Sequence, residues 1–230
     1  MNPQDFEAFP QQAQAAQNVF FQRVYQWMAA GLAITGFTAY AAAGNLALLQ
    51  MLAHGGFIVL ALVELGLVIW LTQAIVRSKI SAGAAVAGFL VYSLLNGLTM
   101  SYIFLAYTGL SIATTFFITA GSFAGVSLFG WITKADLSSL RGYLMMGLWG
   151  IILGSLANFF LKSSPFDWFL TYAGLAIFIG LTAYDTQQLK RMHQQNQGSE
   201  QIAVFAALRL YLDFINLFLL LLRLFGRRRD

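Results

Sequence analysis

The stretch Ala206–Phe225, AALRLYLDFINLFLLLLRLF, decides how this chain folds. It is apolar and long enough to cross a bilayer, yet it carries Arg209, Asp213 and Asn216. Those three stand at i, i+4 and i+7, so a helix puts them on one face. Arg223 falls close to the same stripe. An ionised group in hydrocarbon costs several kcal/mol or drags water in with it. Such a helix is therefore expected at the centre of a bundle, wrapped by other helices, with its polar face toward a cavity or partner charges.

The rest of the chain supplies the wrapping. Of 230 residues, 59% are hydrophobic and only 10% charged, whereas soluble domains run near a quarter charged. The expected fold is an all-α integral membrane protein, a seven-transmembrane-helix bundle with a central C-terminal helix. Crossing about 30 Å of hydrocarbon takes roughly 20 helical residues. Seven segments qualify: 24–43, 56–76, 82–106, 110–133, 143–161, 168 to about 185 or beyond, and the stretch starting near Ile202. A β-barrel would show short alternating strands instead. Residues 1–22 read as a polar cytoplasmic tail without a secretory signal, and 23–230 as the transmembrane domain. The first span then serves as the targeting signal. Loops read as short, the longest being Lys190–Glu200. The pairs Gly121/Gly125 and Gly150/Gly154 have the spacing that lets membrane helices approach closely.

The net charge of +4 reads as topology rather than as a nucleic-acid surface. With the N-terminus inside, Arg23, Arg77, Lys79, Lys134, Arg141, Lys190 and Arg191 are all cytoplasmic, and only Lys162 falls in an outer loop. Arg227, Arg228 and Arg229 break that pattern if the last helix spans. Either the tail lies outside, which we favour, or the helix re-enters. Cysteine is absent, which excludes disulfides and thiolate metal sites. His54 and His193 stand far apart, so no zinc or haem site is expected.

Three acids lie in or beside apolar runs: Glu64, Asp185 and Asp213. An intramembrane carboxylate is a candidate functional residue once its partner is named. Each also has a plainer reading. Asp213 pairs with Arg209 along its own helix, Asp185 pairs with Lys190 or Arg191 at the interface, and Glu64 is a protonated acid hydrogen-bonded inside the bundle. Asn96, Asn158 and Asn216 read as hydrogen-bond glue between helices. Enzyme readings are poor. No histidine stands near an embedded serine, and the two-aspartate pattern of intramembrane proteases is only half present, Tyr184–Asp185 having no glycine-flanked counterpart at Asp213.

Two segments carry a resemblance. FIGLTAYDTQQLK (Phe178–Lys190) and ALRLYLDFINLFLLLLRLFG (Ala207–Gly226) look like the paired motifs of the Bax inhibitor family, and TKADLSSL (Thr133–Leu140) fits its bacterial branch. The resemblance covers nearly everything after Asn18. It implies a seven-helix fold around a central seventh helix, in the bacterial inner membrane. It implies a pH-sensitive calcium leak gated by Asp185 and Asp213, with calcium or other cations as transient ligands of that pair and no resident cofactor. Arg77 or Lys79 is the candidate latch for Asp185. Glu64, Arg209 and Asn216 are candidate intramembrane polar residues. Arg209 departs from the family pattern, as a fixed cation beside Asp213 that opposes cation permeation. Two carboxylates close together in low dielectric do not both ionise easily, so they share a proton and titrate as a pair. The alternative is a non-transporting membrane factor that modulates a membrane-embedded ATP-dependent protease.

Overall fold

The computed structural model describes residues 3–196 and 199–229. Among them the chain forms nine α-helices: α1 Pro3–Ala43, α2 Leu46–Met51, α3 Phe57–Val76, α4 Ala82–Met100, α5 Ile103–Ala106, α6 Gly109–Ile132, α7 Arg141–Leu161, α8 Ser164–Asn196 and α9 Glu200–Phe225. A π-helical turn, Leu52–Gly56, joins α2 to α3, and a 3-10 turn, Leu137–Leu140, leads into α7. The extended backbone described is one isolated bridge between Tyr107 and Arg228.

Six stretches are long and apolar enough to cross a bilayer: Leu46–Val76, Ala82–Ala106, Gly109–Ile132, Leu137–Leu161, Ser164–His193 and Glu200–Phe225. They hold the second to seventh expected spans. The first, 24–43, lies inside α1 and is not among the six, because Ala, Gly and Thr stand there in place of Leu and Ile.

At two places a helix runs through polar sequence. The stretch read as a tail, 1–22, is helical from Pro3 onward, Met1 and Asn2 lying outside the described residues. The stretch read as the longest loop is mostly the last turns of α8, which runs to Asn196. Gln197 and Gly198 lie outside the described residues. Gln, Lys, Arg and Met are good helix formers, so a polar run continues a helix as readily as it ends one. Real breaks carry capping chemistry. Asn45 Oδ1 accepts from Leu48 N, Ser81 Oγ from Ala84 N and Thr108 Oγ1 from Ser111 N, starting α2, α4 and α6.

The contacts divide the chain into two compact units. Unit 1 is Met1–Leu105 with Leu189–Tyr211. Here α4 lies against α1 through Gly97, where an added Cβ would stand 2.6 Å from Thr38 Cβ and 2.7 Å from the Thr35 carbonyl oxygen. No side chain fits, so glycine is what allows the approach. The Arg23 and Trp27 side chains of α1 both reach Glu200 at the start of α9, Trp27 Nε1 at 2.6 Å from Glu200 Oε1.

Unit 2 is Ala106–Gln188 with Leu212–Asp230. Phe116 and Phe123 of α6 pack on Phe214 of α9, with ring centroids 5.4 Å and 5.5 Å apart. Beyond α9 the backbone returns to the loop before α6. Thr108 N donates to Arg227 O and Arg229 N to Ala106 O, while Arg227 N donates to Ser111 Oγ. The Arg223 guanidinium pairs with Asp167 near the start of α8. A Cβ at Gly121, Gly125 or Gly150 would meet no described atom within 4 Å, so three of the four glycines expected to pack closely do not. Gly154 meets Leu170 at 2.7 Å.

Candidate functional site

The AYDTQ segment of α8 is held from three directions. Tyr184 and Ala183 are buried against Leu137 of the 3-10 turn. Gly130 of α6 comes so close that a Cβ there would stand 2.4 Å from the Ala183 carbonyl oxygen. Thr186 Oγ1 donates to Ser127 Oγ at 3.2 Å. Gln187 spans the Thr133–Leu140 loop with both ends of its amide, Nε2 donating to Ala135 O at 2.8 Å and Oε1 accepting from Leu137 N at 2.9 Å. Two of the segments quoted for the resemblance, Phe178–Lys190 and Thr133–Leu140, therefore meet. Asp185 sits between these anchors and is buried, 5% exposed.

Asp213 is equally buried on α9. Phe214 beside it is wedged against Phe116 and Phe123, which fixes the rotation of the helix there. Asn216 is half-buried and its Nδ2 donates to the Leu212 carbonyl at 2.8 Å, a bond along its own helix. Arg209 is half-buried, its guanidinium carbon 5.9 Å from the centroid of the Phe205 ring. Arg77 caps the C-terminal end of α3 in unit 1 and Lys79 follows in the turn, both exposed. Beside the α8 motif lies a cavity of about 290 Å³ lined by Val126, Phe129, Leu137, Ile179 and Ala183. Its walls are apolar and offer a cation no ligand. Among the described residues no three His, Asp or Glu gather into a metal-holding cluster. A resident calcium would want six to eight oxygens.

The third acid, Glu64, lies in unit 1 and is 7% exposed. Asn96 Nδ2 stands 3.1 Å from Glu64 Oε2, and Thr99 Oγ1 donates to Oε1. Asn96 continues to the hydroxyl of Tyr211 at 2.9 Å, Tyr211 to Thr35 Oγ1 at 2.6 Å, and Thr35 to the Ser93 carbonyl at 2.9 Å. One buried polar chain thus links α3, α4, α9 and α1. Tyr211 escaped the sequence reading, although a phenol in the middle of an apolar helix must find a partner when buried. It is fully buried, with Phe89 and Tyr92 edge-on to its ring. Asn158 is local: its Nδ2 donates to Asp167 across the turn between α7 and α8, and its Oδ1 accepts from Ser163 N.

Comparison with known proteins gives one answer. The family model described as inhibitor of apoptosis-promoting Bax1 matches residues 17–230. The inner membrane protein YbhL of Escherichia coli strain K12 is 46% identical over 225 residues, 95% of each chain. An uncharacterized protein of Borreliella burgdorferi is 44% identical, covering 93% of this chain and 94% of its own. The uncharacterized protein RP147 of Rickettsia prowazekii is 37% identical over 92% of this chain and 90% of its own.

Proposed function

Since the chain belongs to the Bax inhibitor family, we propose that it is a pH-sensitive cation leak of the bacterial inner membrane, gated by Asp185 and Asp213. The observation that carries this reading is the burial of both motif carboxylates in apolar helices, with the segment around Asp185 pinned on three sides. An acid kept dry and positioned is a group whose protonation has structural consequences. The pair shares a proton, and calcium is the permeant ion, bound in passage by carboxylate oxygens. The reading needs no resident cofactor and no covalent catalysis. Arg77 or Lys79 supplies the counter-charge of the closed state.

The same reading has seven spans, α1 supplying the first, around a central α9. Its 26 residues rise about 39 Å, more than the hydrocarbon needs. The bonds from Arg227 and Arg229 to Ala106 and Thr108 support a tail outside, because that loop follows the third span and the charge pattern puts it outside. A re-entrant last helix would return the tail to the cytoplasmic side. A reporter fused after Gln195 is expected to read cytoplasm and one after Asp230 the outside. A cytoplasmic signal from the second would remove the seventh span.

The deciding experiment is calcium flux from proteoliposomes scanned across pH. Flux rises as pH falls and Asp185 is protonated, because the counter-charge is released. It declines at still lower pH, when both acids are neutral and the ion has lost its ligands. Asp185→Asn flattens the pH dependence and Asp213→Asn lowers flux throughout. Neutralising Arg77 or Lys79 raises flux at neutral pH. Thermal unfolding is recorded for each variant, since neutralising one acid leaves nearby cations less compensated. A well-folded Asp185→Asn protein with wild-type pH dependence would sink the gating role. Absence of flux with retention of a membrane-embedded ATP-dependent protease in a pull-down would favour the modulator reading.

A further inference from the structure

The buried chain in unit 1 sets a problem of proton inventory. A hydroxyl carries one proton and donates once. With Asn96 Nδ2 toward Glu64, Tyr211 donates to Asn96 Oδ1 and Thr35 donates to the Ser93 carbonyl. The Tyr211 and Thr35 oxygens then lie 2.6 Å apart with no proton between them. Giving Thr35's proton to that contact leaves the 2.9 Å Thr35–Ser93 contact without one instead. The contacts Asn96–Tyr211, Tyr211–Thr35 and Thr35–Ser93 outnumber the protons of the two hydroxyls in this orientation.

Turning the Asn96 amide over supplies the missing donor, and the oxygen and nitrogen of an amide are interchangeable by shape. Nδ2 now donates to the Tyr211 oxygen, Tyr211 to Thr35, and Thr35 to Ser93 O. Asn96 Oδ1 then faces Glu64 Oε2, and two oxygens at about 3 Å need a proton between them. A carboxylic acid provides it, while Thr99 still donates to Oε1. Each contact then holds one proton.

We propose that Glu64 is a proton-binding site, and that the proton it carries here directs the Asn96–Tyr211–Thr35 chain onto α1. Loss of that proton turns the Asn96 amide back and leaves the Tyr211–Thr35 contact empty, so occupancy on α3 is felt on α1. The titratable groups around the carboxyl fit a neutral acid. α3 packs on α4 and on the Leu52–Gly56 turn. The Tyr211 phenol of α9 reaches Glu64 through Asn96, and the Tyr92 ring of α4 lies edge-on to Tyr211. His54 in the turn contacts the Gln50 carbonyl through Nδ1. Arg209 projects roughly 200° around α9 from Tyr211 and lies over Phe205.

Infrared spectroscopy of the full-length protein in lipid nanodiscs tests this. Glu64→Gln keeps the donor and acceptor of the protonated acid, so it is expected to melt with the wild type. Near neutral pH, the wild type shows a carboxylic-acid carbonyl band that Glu64→Gln lacks. Thr35→Val, at the far end of the chain, leaves Tyr211 to donate to Asn96 and so favours the ionised acid. The band is then lost at a pH lower by about one unit, the worth of one net hydrogen bond. Tyr211→Phe, the second variant, moves the band in the same direction. Loss of a carboxylate band, rather than an acid band, in Glu64→Gln overturns the proposal. So does an acid band that titrates alike in the wild type, Thr35→Val and Tyr211→Phe. None of these variants touches Asp185 or Asp213, so the flux reading stands or falls separately.

Discussion

The stretches Leu137–Leu161 and Glu200–Phe225 are almost equally apolar, yet none of the first is buried in its most apolar window and 67% of the second is. Hydropathy does not separate them, because lipid tails are as apolar as leucine and burying a leucine among helices gains little over leaving it in lipid. The difference lies in the other residues. Helix α7 turns Trp149, Leu153, Phe159 and Phe160 outward and has no acid in its length. Helix α9 carries Arg209, Tyr211, Asp213 and Asn216, each needing a partner that hydrocarbon cannot give. In a membrane the polar minority decides which apolar helix is buried.

That comparison can be broken by truncating matched leucines. Leu217 of α9 is fully buried, whereas Leu153 of α7 is 60% exposed. Leu217→Ala is expected to cost about 2–3 kcal/mol, mostly as an unfilled cavity. Leu153→Ala should stay within about 0.5 kcal/mol, because lipid flows into the space. Equal shifts in the thermal midpoint would mean that α9 is not the better-packed helix.

A second pair of variants sharpens the lesson for small residues. Gly97→Ala drives a Cβ into Thr38 and the Thr35 carbonyl, and should destabilise by about 1–3 kcal/mol. Gly121→Ala meets nothing and should be neutral, or stabilising by up to about 1 kcal/mol through helix propensity. Denaturation in mixed detergent reads both. A costly Gly121→Ala would restore the spacing motif as a packing signal.

The smallest effect belongs to the end of α9. The Arg223–Asp167 pair is about one-third exposed on both sides, so Arg223→Gln should cost under about 1 kcal/mol, and less in high salt. A larger, salt-insensitive loss would show that the pair anchors α9 as its apolar contacts do.

Much of this was legible in the chain. Runs such as Phe57–Val76 and Gly109–Ile132 announce spans because length and apolarity are local properties. The stripe on α9 announced burial because a charge in lipid has one cheap remedy. The stretch 24–43 was harder to read, since Ala and Gly there serve close packing as well as they serve membrane solubility. The partners of the acids were not legible. Glu64 meets Asn96 32 residues away, and Asn96 meets Tyr211 115 residues away. No periodicity within one helix records such a pairing. Gln187 was overlooked for a related reason: its amide satisfies the backbone of a loop, and backbone groups leave no trace in side-chain sequence.

The backbone bonds between Arg227, Arg229 and the loop at Ala106–Thr108 bear on biosynthesis. They join residues that follow α9 with residues before α6, which are made much earlier. The segment from α6 to α8 must wait, its loop donors and acceptors served by water, until α9 and the residues after it have been made. Closure of unit 2 therefore comes only after α9 has been made, and a chain cut just after Phe225 would keep every long apolar helix but could not fasten the end of α9.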